Sequence, residues 1–200
     1  MLQTYYEDCL KAINPKAKSA WPNIAHAYAG RAYHNLDHLT EMLGHYQCVP
    51  THLEPAAPPI FGIALIYHDI VYRAGRKDNE LRSADMAVAA LKTAGVDADK
   101  QSYCHDLIMA TKTHESQNDD EGLLVDLDLA VLARPAEGYD AYTRAIRKEF
   151  ALYPGFVYRP GRKKALRHFI ERPNIYYHSF FRESWEGTAR ENLQREIKHL

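Results

Sequence analysis

The hydrophobic pattern of the chain is dominated by one run, Ile60-Phe-Gly-Ile-Ala-Leu-Ile-Tyr67, eight residues without a charge. It is too short to cross a bilayer, which takes roughly 20 apolar residues. Its neighbours look helical, so the run reads as a buried helix, hydrophobic on most sides. Elsewhere apolar residues recur every three or four positions, the period of an amphipathic helix. Tyr6, Cys9, Leu10 and Ile13 mark a first helix over residues 1–13, stopped by Asn14-Pro15. Ser19 to Ala29 forms a short second one, with Pro22 near its first turn and Gly30 behind it. A third carries Leu36, Leu39, Leu43 and Tyr46 on one stripe. Four prolines between Cys48 and Pro59 make that segment a loop.

Beyond the central run, Asn79 to Ala94 predicts a helix that buries Ala84, Ala87, Val88 and Leu91, capped by Asp78 or Asn79 and ended by Gly95. Ala98 to His114 predicts another, and Ser116 to Glu121 a polar loop. Leu123 to Leu132 is apolar apart from Asp126 and Asp128. Two further helices, Gly138–Tyr153 and Arg162–Glu171, are joined by a loop holding Pro154-Gly155 and Pro160-Gly161. A last helix, Glu183 to Leu200, packs through Trp185, Ala189, Leu193 and Ile197. No alternating strand pattern, repeat or low-complexity tract interrupts this series. The expected fold is all-α, one compact helical bundle over residues 1–200.

Composition adds limits. A hydrophobic share of 46% and a charged share of 26% are ordinary for a soluble protein. The net charge of −1 supplies no whole-molecule attraction to nucleic acid or membrane, so neither is an expected partner. Cys9, Cys48 and Cys104 are odd in number and widely spaced, which predicts free thiols in a reducing compartment. The N-terminus carries Glu7 and Asp8 among tyrosines rather than the apolar run of a signal peptide. A cytoplasmic location is the expectation.

Three places concentrate ligand-type side chains. His68 and Asp69 directly follow the apolar run, in the last turn of its helix, where unpaired carbonyls favour a cation. His34 and His38 are four apart, and share a face if both are helical. Asp126 and Asp128 stand in an apolar stretch, where an unpaired carboxylate would be costly. Residues two apart on a helix point in different directions, so one of these two is expected inward, the other solvated or capping. A fourth feature is basic: nine Lys and Arg between Arg144 and Arg172 face only Glu149 and Glu171. Such a run is either a solvated helix face or a patch for phosphate or RNA.

The order His34/His38, His68-Asp69, Asp126/Asp128 in a helical setting resembles the HD superfamily of metal-dependent phosphohydrolases. Tyr33-His-Asn-Leu-Asp-His38 resembles the YHNxxH motif of cyclic-nucleotide phosphodiesterases. Nearly the whole chain also resembles a compact bacterial HD family. The matching motifs are RxYHNxxH, HDxxY (His68 to Tyr72), NExxSA (Asn79 to Ala84), TxxH (Thr111 to His114) and DxDLAxL from Asp126. GRxxxL (Gly161 to Leu166) and ARxNL (Ala189 to Leu193) complete the set. The resemblance implies an HD-type core over 31–133 with a helical extension over 134–200. It implies His38, His68, Asp69 and Asp128 as ligands of one divalent ion (Mn, Fe, Co, Ni, Zn or Mg), with Asp126 as the fallback. His34 would be the acid toward the leaving group and Glu80 a base beside the ligands. Arg31, Lys112 and His114 are the candidates for holding phosphate. The chain departs from the pattern in Ile70 to Lys77, which lacks both the second-metal His of the phosphodiesterases and the Lys of other HD enzymes. One ion rather than two is therefore expected.

The expected activity is hydrolysis of a phosphoester of a small phosphorylated molecule, with a nucleotide as the leading class. One alternative is an HD-fold module that senses a nucleotide without turnover. A second is an RNA-associated protein that uses the basic stretch 144–172.

Overall fold

The structure, a computed structural model, describes residues 1–200. All its regular elements are helical, as the apolar spacing predicts. They are α1 (Leu2–Ile13), α2 (Trp21–Tyr28), α3 (Leu36–Tyr46), α4 (Pro58–Tyr67), α5 (Asn79–Thr93) and α6 (Ala98–Thr113), followed by α7 (Asp119–Asp128), α8 (Ala136–Glu149), α9 (Gly155–Ile170) and α10 (Ser179–His199). Short 3-10 turns lie at Thr51–Leu53 and Leu129–Ala133. No helix is long and apolar enough to cross a membrane. The helices gather into two compact units, Met1–Val125 and Asp126–Leu200, and the division falls inside α7.

In the first unit α4 is the central element, packed against α1, α3, α5 and α6. Pro58 and Pro59 occupy its first turn, where a backbone N–H has no intrahelical partner to lose. Every residue from Ile60 to Tyr67 is buried, and Ile60, Phe61, Ile63, Leu65 and Ile66 each contribute about 1.5–3 kcal/mol. α1 approaches α4 closely at Gly62. A Cβ there would lie 2.5 Å from Cys9 Sγ and 2.6 Å from Tyr5 Oη.

Two expectations from the sequence change at helix starts. Asp78 precedes α5, but its carboxylate pairs with Arg76 (both contacts 2.7 Å) instead of capping the helix. Residues 116–121 are not all loop, because α7 begins at Asp119. Asn118 Oδ1 accepts from Glu121 N (3.0 Å) and Glu121 Oε2 accepts from Gln117 N (2.7 Å), a reciprocal cap of the Asn-x-x-Glu kind.

The second unit is built on the turn Leu129–Ala133, which α8 and α10 both contact, while α9 packs on α10. The C-terminal motif residues fasten it. Arg162 pairs with both oxygens of Glu196 (2.8 and 3.0 Å), which also accepts from Tyr139 Oη. Asn192 donates to the Leu132 and Arg134 carbonyls, and Arg190 to those of Ile170, Arg172 and Pro173. The expected loop at 154–161 is instead the first part of α9, which runs through Pro160. That proline lies on the exposed face, where water can take the carbonyl that its missing N–H leaves.

Gly62→Ala should destabilise the fold by about 1–2 kcal/mol, because the new methyl displaces Tyr5 and Cys9. Gly44→Ala meets nothing within 4 Å and should instead stabilise α3 by about 0.5–1 kcal/mol. Urea unfolding of both variants distinguishes close approach from simple helix propensity.

Candidate metal centre

The C-terminal end of α4 leaves carbonyls without helical partners, and neighbouring side chains take them. Buried Tyr28 donates its hydroxyl to the Ile66 carbonyl (2.8 Å). His68 Nδ1 bonds the Leu65 carbonyl (2.9 Å). Arg31 Nη1 donates to the carbonyls of Asp69 (2.5 Å) and His34 (3.3 Å), and Nη2 to that of Ile70 (2.7 Å). These bonds fix the backbone on which His68 and Asp69 stand. His68 takes the cap position, one residue past α4, rather than a place in its last turn.

The bond from His68 also sets its chemistry. A carbonyl only accepts, so Nδ1 carries the proton and a neutral ring presents a lone pair at Nε2. Nε2 lies 3.1 Å from Asp69 Oδ2. Two acceptors so close call for positive charge between them or a second proton on the ring.

His38 stands in the first turn of α3, which begins where Asn35 caps it: Asn35 Oδ1 accepts from Asp37 N (2.8 Å) and His38 N (3.3 Å). Buried Tyr33 contacts His38 Nδ1 through its hydroxyl (3.1 Å), leaving Nε2 as the ligand atom. The His38 and His68 rings are 5.5 Å apart, centroid to centroid. Asp128 is the last residue of α7, an unbroken helix that carries Leu123–Val125 of the first unit.

One ligand atom from each of His38, His68, Asp69 and Asp128 lies within 4.8 Å of all the others. The three residues of the first unit are buried and Asp128 is half-buried. Such a group could hold a metal ion. Ligand bonds of about 2.0–2.2 Å put opposite ligands of one ion about 4.2 Å apart, so a contraction of a few tenths of an ångström would suffice. Two imidazoles and two carboxylates suit a divalent ion of the Mn-to-Zn series, and both imidazoles already have a partner at Nδ1.

The remaining predicted residues fall into distinct places. His34 and His38 do not share a helical face, because Asn35 caps α3 and leaves His34 in the preceding turn. The His34 ring still comes within 6.3 Å of the His38 ring, held by stacking on Tyr72 at 3.7 Å and 23°. Arg31, a candidate phosphate ligand, directs both terminal nitrogens to backbone carbonyls and acts as a clasp. Glu80 is half-buried in the first turn of α5, between two residues that pin the loop after Asp69. Asn79 bonds both the N–H and the carbonyl of Arg73 (3.1 and 3.0 Å), and Ser83 those of Val71 (3.1 and 3.4 Å). Lys112 is exposed, and half-buried His114 ends α6 in the left-handed conformation at φ +53°.

Asp126 is neither a cap nor solvated. Fully buried, it accepts from the backbone of Tyr177 (2.7 Å) and His178 (2.9 Å) and faces His178 Nδ1 at 2.8 Å. Burial pushes its carboxyl upward, opposed by the donors from His178 and Tyr177. His178 gives no sign of this role in the sequence, since it lies 52 residues away. Tyr33 and Tyr72 were visible as motif positions, but only the fold shows what they touch. Compared with known proteins, the chain matches no family model, no curated protein and no solved structure. What the centre can do therefore rests on its own geometry.

Asp128→Asn should lower the divalent metal retained after dialysis, measured by elemental analysis. Asp126→Asn should keep the metal but lose about 1–3 kcal/mol of stability, because an amide oxygen replaces a buried carboxylate beside His178. The opposite pattern would exchange the roles of the two aspartates. Tyr33→Phe should weaken metal affinity by about 10- to 100-fold in competition with a chelating dye, through the loss of the partner at His38 Nδ1.

Proposed function

We propose that the protein is a metal-dependent phosphohydrolase of the HD type, acting on a phosphoester of a small phosphorylated molecule, with nucleotides as the first class to test. The observation that carries this reading is the convergence of His38, His68, Asp69 and Asp128 on one point. The motif resemblance along the chain supports it. One divalent ion per chain would be held by these four side chains. The chemistry it supplies when bound is Lewis acidity: a nucleophile from water at neutral pH and relief of charge on the phosphoryl group.

The protein's own residues would do the rest. His34 would protonate the leaving oxygen, with its ring plane fixed by the stack on Tyr72. Arg31 would act at one remove, by holding the carbonyls of His34 and Asp69 and so the spacing between acid and ligands. Glu80 is the candidate base, and Lys112 and His114 are the candidates for holding substrate phosphate. Assay of phosphomonoesters, nucleotides and cyclic dinucleotides with several divalent metals tests the activity. No turnover of any of these by metal-loaded protein would favour a nucleotide-sensing module.

Once a substrate is found, His34→Ala should retain metal and fold but lose about 10²–10⁴-fold in turnover. A nitrophenyl ester should lose much less, because its leaving group hardly needs a proton. Equal losses on both substrates would assign His34 to orienting phosphate or water instead.

A further inference from the structure

Seven of the nine basic residues between Arg144 and Arg172 separate into two groups once their partners are known. Arg147 donates to the Phe150 and Tyr153 carbonyls, Arg162 pairs with Glu196, and Arg172 bonds Tyr177. These three fasten the second unit. Arg159, Lys163, Lys164 and Arg167 enter no ion pair, and with His168 they line one groove of about 560 Å³ along α9. Glu171 is the one acidic side chain on its wall. In a protein of net charge −1 this is a local concentration of charge, not a sample of general basicity.

We propose that this groove binds the phosphate backbone of a single-stranded nucleic acid, with Phe156 as a stacking platform for a base. Arg159 to Arg167 covers two helical turns, about 12 Å, so the cations form a row suited to a chain of phosphates. Phe156 lies one turn before Pro160 on the same outward face of α9 and is 80% exposed, so its ring is accessible to a base. A cationic groove beside an exposed aromatic ring is the combination that binds single strands without reading sequence. Exposed Leu152 and Phe156 could also enter an acidic bilayer. A bilayer is flat, however, and the cations line a concave groove. The proposal does not depend on the metal centre, and metal-stripped protein should bind equally well.

The test is fluorescence anisotropy with a labelled oligouridylate of about 12 nucleotides over a range of salt. Neutralising about four phosphates predicts a slope of log affinity against log salt near −3. The triple variant Arg159→Ala, Lys164→Ala, Arg167→Ala should reduce that slope to about −1. Phe156→Ala should weaken binding by about 5- to 100-fold and leave the slope unchanged. All four positions are exposed, and circular dichroism checks that the variants fold. The proposal is overturned by absence of binding at low salt, by an unchanged slope in the triple variant, or by equal affinity for a duplex of the same length. Binding to phosphatidylserine vesicles but not to the oligonucleotide would assign the face to a membrane and also overturn it.

Discussion

The end of α4 is the constraint on which the rest of the candidate centre depends. A helix buried on all sides cannot leave its last carbonyls to water, so protein donors must reach them. Tyr28 and the His68 ring supply those donors at Ile66 and Leu65, and Arg31 takes the carbonyls of Asp69 and Ile70 just beyond the helix. Each bond also determines something beyond the helix end. The His68 bond selects its tautomer, and the Arg31 bonds tie the turn bearing His34 to the residues after α4. Satisfying the backbone and orienting the ligands are thus one set of contacts. Removing Tyr28 or Arg31 would disturb both together.

Beyond α4 the pinning continues. Asn79 and Ser83 hold the backbone of Arg73 and Val71, so the loop that presents Tyr72 to His34 is fixed from α5. Asn35 does the same for α3, and its cap decides that His38 is helical and His34 is not. The two aspartates of α7 show how helical phase divides labour. Asp126 faces Tyr177 and His178, whereas Asp128, two residues on, joins the ligand group.

Much of this was legible in the sequence where the cause is local. The uninterrupted apolar run placed α4, and period-3.6 spacing gave the other helices to within about four residues at each end, except α9, which begins seven residues before the expected Arg162. Asn118 and Glu121 were also a readable cap signal, yet the polar composition of 116–121 suggested a loop. Pro160 misled in the opposite sense, since a proline on an exposed face of a helix near its start interrupts little. The pairing of Asp126 with His178 and of Arg162 with Glu196 was not legible, because it joins residues far apart in the chain that no local pattern links. The basic stretch was visible only as a total. Its division into fasteners and groove-lining cations required the partners of each side chain.

The central claim is that two imidazoles and two carboxylates meet around one divalent ion. X-ray absorption at the cobalt edge of cobalt-loaded protein examines that shell directly. The expected result is nitrogen and oxygen scattering at about 2.0–2.2 Å, with outer-shell scattering equivalent to two imidazoles. A sulfur ligand, or a shell without imidazole scattering, would contradict it.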